Sequence, residues 1–165
     1  GSPPDSSFDV AVRAAGSILR AQVRSGRRCV LLLNTAGREE QNVSSDGQEW
    51  LRALELIAAA EPDARGPAAA LLRSADGPAA RSLELVVVTS RIERSLVDRL
   101  LERMLTRRPV ALVHVEAGSF VGRPHRPDPE LLRLQAAGVP IAVVRQGDDL
   151  AAALHGAGAA EVARA

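Results

Sequence analysis

The chain has 165 residues, 46% of them apolar and 25% charged, with a net charge of +1. That is enough for one domain with a real core, and the composition is globular, not disordered. Balanced charge and few aromatic side chains (Phe8, Trp50, Phe120) argue against a basic stacking surface for nucleic acid.

Every fixed basic side chain is Arg, as in proteins from GC-rich genomes, which are also rich in Ala and Gly. The missing lysine excludes a phosphate-binding P-loop. Cys29 is the only cysteine, so no disulfide framework or cysteine zinc site forms within one chain. It opens an apolar run and reads as a small buried hydrophobe. A reducing compartment is thereby permitted. No 18-residue apolar run exists, so this segment is not expected to touch a membrane. There is no signal peptide and no initial Met. Gly1-Ser2 reads as a tag remnant, and the chain as a piece of a longer one.

Residues 1–7 form a loop, in which Ser6 or Ser7 can cap the helix that follows. That helix is expected from about Phe8 to Ser25, with Phe8, Val12, Ala15, Leu19 and Val23 as its apolar stripe. Gly26 ends it. Arg28 to Leu33 reads as a strand, apolar without alternation. Asn34 to Gly37 is a turn, and Gln41 to Ser44 a short edge strand. Ser45-Asp46-Gly47 is the next turn. Gln48 to Ala60 is a helix, with Trp50, Leu51, Leu54, Ile57 and Ala58 on one side. A short Ala/Leu helix covers 67–75.

Ser82 to Ser90 contains Leu-Val-Val-Val, a β-branched apolar run read as the central strand, buried on both faces. A helix follows from about Glu93 to Arg107, with Leu96, Val97, Leu100, Leu101, Met104 and Leu105 facing inward. Val110 to Val115 is the third apolar strand. Residues 117–128 are a Gly/Pro-rich loop. Pro129 opens a helix through Ala137, and Val139 to Val144 is the fourth strand. A last helix starts near Gly147 and fades after Leu154 into a flexible tail, 156–165. Strands alternating with helices predict a doubly wound, mostly parallel α/β sheet with helices on both faces, in one domain over 8–155.

Ligands in such sheets bind beyond the carboxyl ends of the strands. Asn34 and Thr35 follow the first strand. Thr89, Ser90 and Arg91 follow the second, Glu116 and Ser119 the third, Arg145 and Gln146 the fourth. A hard cation needs several oxygens, usually including a carboxylate. Asn34, Thr35, Thr89 and Ser90 are neutral, so they read as turn caps and no metal site is assigned. His114 lies within a strand and reads as a satisfied histidine; His125 reads as solvated. No Gly-x-Ser-x-Gly elbow marks a nucleophile. No catalytic or cofactor-binding residue is assigned. Gly156 to Glu161 lacks the third glycine and the preceding strand of a dinucleotide fingerprint. Asn42-Val43-Ser44 fits the glycosylation triplet by chance. Arg94, Arg99 and Arg103, with Arg91, Arg107 and Arg108, crowd one helix. They read as a solvated face or as a docking face for an acidic partner.

The order of segments also carries a resemblance. The Ala-rich helix with Ser25-Gly26-Arg27-Arg28 and Cys-Val-Leu-Leu-Leu, the run 82–90, and the close from Leu134 to Leu154 resemble the bacterial "domain of unknown function 58" proteins, actinobacterial members above all. The likeness spans roughly residues 8–155. It implies a von Willebrand factor A-like domain in a membrane-anchored parent, with this part in the cytoplasm. It also implies a non-catalytic interaction role beside a MoxR-type AAA+ ATPase. That family usually carries a metal-ion-dependent adhesion site. Its Asp-x-Ser-x-Ser segment has no counterpart here, and its later Asp falls near Ser90, which carries no acid. The family's first strand, central in its sheet, would lie ahead of residue 1. Without it the sheet has a gap or a long unpaired edge. The gap closes by re-pairing, by exchange with another copy in a homo-oligomer, or by accepting a strand from elsewhere. A metal-dependent adhesion module and a small α/β hydrolase stand as alternatives.

Overall fold

Helices and strands alternate from Ser7 to Gly156 in the computed structural model, which describes residues 6–44, 47–73 and 77–156. Helix α1 covers Ser7–Arg24. Of the two serines that could cap it, Ser6 does. Its hydroxyl accepts from the Asp9 amide (3.1 Å), and the Asp9 carboxylate accepts from the Ser6 amide (2.9 Å). Strands β1 (Cys29–Leu32) and β2 (Glu40–Val43) follow, then α2 (Gln48–Ala59) and a 3-10 turn at Ala68–Leu72. The expected helix 67–75 is therefore a shorter, tighter turn, and residues 74–76 lie outside the described ones. The rest is α3 (Pro78–Arg81), β3 (Leu85–Thr89), α4 (Arg94–Leu105), β4 (Val110–Val115), a 3-10 turn at Ala117–Val121, α5 (Pro129–Ala136), β5 (Ile141–Val144) and α6 (Leu150–Gly156). The expected tail beyond 156 and residues 1–5 of the first loop also fall outside the described residues.

Strands β3, β4 and β5 form a parallel sheet in that order, with Leu85 opposite Val110 and Leu112 opposite Ile141. Both faces are covered, which is why these strands are apolar without alternation. On one face Val10 and Ala14 of α1 and Leu154 of α6 meet Val113, Val115, Ala142 and Val144, with Val86 and Val88 beside them. On the other, Leu96, Val97 and Leu100 of α4 and Leu134 of α5 meet Val110 and Leu112, with Leu85 and Val87 alongside. Strands β1 and β2 form a separate antiparallel hairpin, Cys29 opposite Val43 and Leu32 opposite Glu40. Its core joins Leu19 of α1 to Leu31, Val43, Ala53 and Ile57. The protein is thus α/β, with a small parallel sheet and a hairpin.

Four expectations are corrected. The run 82–90 is not central: β3 is an edge strand, and all five of its residues are only half-buried. The middle strand is β4, buried at every residue except His114. The strand opened by Cys29 pairs antiparallel with β2 and, among the described residues, joins no parallel ladder. The stripe of α1 is not the one spacing predicts. Val10 and Ala14 serve the parallel sheet while Leu19, Val12 and Val23 serve the hairpin, because one helix covers two cores. Leu51, Leu54 and Leu105 point outward, at 58%, 39% and 86% exposure, because no element among the described residues covers them.

Candidate functional site

The parallel strands end together at Thr89, Val115 and Val144, and the side chains beyond them form one rim. Thr89 closes its own turn: its hydroxyl donates to the Arg91 carbonyl (3.0 Å) and accepts from the Arg91 amide (3.1 Å). Ser119 ties two loops together, donating to the Glu116 carbonyl (2.7 Å) and accepting from the Gln146 amide (2.9 Å). These hydroxyls hold loops in place.

The charged centre of the rim is Glu116. Its side chain is 16% exposed and pairs with His125 Nδ1 at 2.8 Å and with the Arg145 guanidinium. The bond from His125, then that from Arg145, hold the Glu116 carboxyl below the usual carboxylate range. The other rim acids serve backbone amides. Asp148 accepts from the Arg145 amide (2.9 Å), and Asp128 caps α5 by accepting from the Glu130 amide (2.9 Å). By contrast Arg91, Arg94, Arg123 and Arg126 are exposed and make no ion pair with another described residue. All four follow the ends of the neighbouring strands β3 and β4.

His114 faces Thr89 across those same strands. Burial pushes its pKa down, and the Thr89 backbone, Asp128 and Glu116 oppose this more weakly. Its Nδ1 is buried and has no partner among the described residues. The expectation of a satisfied histidine therefore fails at that atom.

Asn34 and Thr35 do not join this rim through any hydrogen bond. Asn34 Nδ2 donates to the Gly66 carbonyl (3.1 Å), and Thr35, 6% exposed, donates to the Glu39 carboxylate. They belong to the hairpin, not to the parallel sheet. Thr89, Ser90, Arg91 and Arg94 do lie together, in one turn leading into α4. No three His, Cys, Asp or Glu side chains among the described residues are placed to hold a metal ion.

The three α4 arginines differ in what they touch. Arg94 is exposed at the rim and makes no ion pair among the described residues. Arg99 pairs with Glu102 (3.1 Å) on the exposed face. Arg103 turns inward, its guanidinium donating to the carbonyls of Ala79 (2.7 Å) and Ser82 (3.1 Å). It clips α3 to the chain entering β3. Sequence reasoning read His125 as merely solvated and did not foresee its pairing with Glu116, nor the exposed Arg123 and Arg126. The usable signal was adjacency: residues following neighbouring parallel strands end up side by side, which brings Glu116 to Arg145.

No helix among the described residues is long and apolar enough to cross a membrane. No protein-family model matches the chain, and neither the curated proteins nor the solved structures hold a significant match to it.

Proposed function

We propose that this chain is a non-catalytic protein-binding domain of the von Willebrand A-like kind, and that its rim docks an acidic surface of a partner protein. One observation carries the reading. Arg91, Arg94, Arg123 and Arg126 stand exposed and make no ion pair among the described residues, while Glu116 is already engaged by His125 and Arg145. Exposed charges of one sign at a rim steer and orient a partner of the opposite sign. The hydroxyls of Thr89 and Ser119 are held in turns, which suits a recognition surface better than a reacting one. The sequence resemblance adds the finer terms of the proposal: one doubly wound sheet of which the hairpin and the parallel sheet are two parts, a membrane-anchored parent, and a MoxR-type AAA+ ATPase as the partner. Packing of α1 against both sheets supports the first of these.

The test is calorimetric titration of this chain with a purified MoxR-type ATPase from the same source. Binding is expected to weaken as salt rises, since the Debye length is only about 10 Å at 0.1 M. The double variant Arg91→Glu, Arg94→Glu is expected to weaken it about tenfold or more. Binding that ignores both salt and charge reversal removes the rim from the proposal. No binding removes the ATPase.

A further inference from the structure

A second group of arginines gathers at the far end of α4 from the rim. Arg103 stands about two and a half turns further along that helix than Arg94. There α3, α4 and the 3-10 turn at Ala68–Leu72 line an open hollow of about 240 Å³. Its charged lining is three guanidiniums and one carboxylate: Arg99, Arg103, Arg108 and Glu102. Arg99 already holds Glu102 at 3.1 Å. Arg103 and Arg108 make no ion pair with another described residue.

Hydrogen bonds bring these two cations to one place. Arg103 donates to the carbonyls of Ala79 (2.7 Å) and Ser82 (3.1 Å), and Arg108 donates to the carbonyl of Ala80. Consecutive carbonyls of α3 thus draw both guanidiniums to the same short helix. The chain also folds back at this point. Arg107 has a left-handed backbone (φ 58°), and the Arg108 amide donates to the Arg103 carbonyl (3.1 Å). Carbonyl oxygens accept N–H bonds but carry no formal charge, so both positive charges remain uncompensated. Burial first, and then the charge of Arg108, push the Arg103 pKa below the usual arginine range. The guanidinium nonetheless stays charged at neutral pH. Nor is it fully bonded: its Nε is buried and has no partner among the described residues. Nearly all buried polar groups in folded proteins have one.

We propose that this hollow binds a phosphate dianion, free or as the head of a small phosphomonoester. Charge, shape and size each point that way. Two uncompensated cations are matched by a phosphorylated group, which carries about −1.5 to −2 at pH 7. A single carboxylate would leave one of them unmatched. The planar guanidinium fork fits phosphate oxygens. The hollow is smaller than the roughly 300–1,000 Å³ of sites for drug-sized ligands, so its occupant is a small molecule. Leu72 and Ala79 add an apolar wall, which suits the organic part of an ester. This site needs neither the rim nor the partner proposed for it.

The test is titration of the full chain at pH 7.5 and constant ionic strength, followed by amide NMR shifts. The probes are methyl phosphate, its monoanionic diester dimethyl phosphate, and inorganic phosphate. Methyl phosphate should move the amides of Ala79, Ala80, Thr106 and Arg108 saturably, with a Kd of about 1 mM or tighter. Dimethyl phosphate should bind at least about tenfold more weakly, since it carries one charge. Arg108→Gln keeps a donor for the Ala80 carbonyl but removes the charge. It should weaken methyl phosphate binding at least about tenfold with little change in melting temperature. The rim variant Arg91→Glu, Arg94→Glu should bind it as the parent does. Inorganic phosphate that binds as tightly as methyl phosphate supports the free anion as ligand; weaker binding supports the ester. Four results overturn the proposal. The first is the absence of saturation below about 10 mM. The second is equal affinity for methyl and dimethyl phosphate. The third is full affinity in Arg108→Gln. The fourth is binding that appears only in Asp76→Asn, which removes the carboxylate nearest to α3 in sequence; the chain would then supply its own counter-ion.

Discussion

Strands β3 and β4 read almost alike in sequence, Leu-Val-Val-Val-Thr and Val-Ala-Leu-Val-His-Val, and lie side by side in register. Their environments differ. Among the described residues β4 has a neighbour on each side and is buried at five of its six residues; β3 has one neighbour and is half-buried throughout. An apolar run without alternation reports that both faces are covered. It says nothing about how many edges are paired. Burial of a side chain against helices and pairing of the backbone beside it are separate conditions, and β3 meets only the first.

The largest effect should come from removing the same atoms on each strand. Val113→Ala in β4 removes fully buried atoms beneath α1 and should cost roughly 2–3 kcal/mol, transfer plus cavity. Val87→Ala, in half-exposed β3, should cost about 1 kcal/mol. Midpoints of urea unfolding at unchanged slope would measure both. Equal losses would mean that β3 is as enclosed as β4 in solution.

A smaller effect tests how β3 is anchored at its start. Arg103 donates to the Ala79 and Ser82 carbonyls just ahead of the strand. Arg103→Ala leaves those carbonyls without their charged donor and should cost about 1–2 kcal/mol. Arg103→Lys should recover little of this, because one ammonium cannot reproduce the guanidinium fork. Arg99→Ala, one turn earlier, removes only an exposed pair with Glu102 and should cost less than about 0.5 kcal/mol. Thermal melting of the three variants gives the ranking. A silent Arg103→Ala would show that α3 does not hold the entry to β3.

Element positions were largely legible, because periodicity, caps and breakers act locally. Ser6, Gly26, Pro129 and Gly138 mark helix ends close to where the structure has them. Sheet order was not legible, because hydrogen bonds between strands leave no trace in side-chain pattern when both faces are covered. The role of α1 was blurred for a related reason: a helix shared by two cores has two partial stripes, and neither repeats over its whole length. Of the candidate site, Thr89, Ser90 and Arg91 were legible from the strand-end rule. The pairing of His125 with Glu116 was not, since it depends on how a Gly/Pro-rich loop folds back. Arg94, Arg99 and Arg103 looked equivalent as letters. Which one turns inward depends on whether carbonyls lie within reach, and only Arg103 has those of Ala79 and Ser82.

The smallest effect is set by a cross-strand pair at the rim, Thr89 of β3 and His114 of β4. Burial favours neutral His114, so its pKa in the folded chain lies below the unfolded value of about 6.5. Between those two values the unfolded chain binds more protons than the folded one. Stability must therefore fall as pH is lowered from about 7 through 6.5, and the loss is complete only below the folded pKa. His114→Gln keeps a polar side chain but cannot titrate. The difference in melting temperature between the parent chain and this variant should shift against the parent on acidification from pH 7.5 to 5.5. A difference that stays constant over that range would mean that His114 is as well solvated folded as unfolded. The half-open edge of β3 would then admit water as far as its neighbour, and the contrast between the two strands would fail at their carboxyl ends.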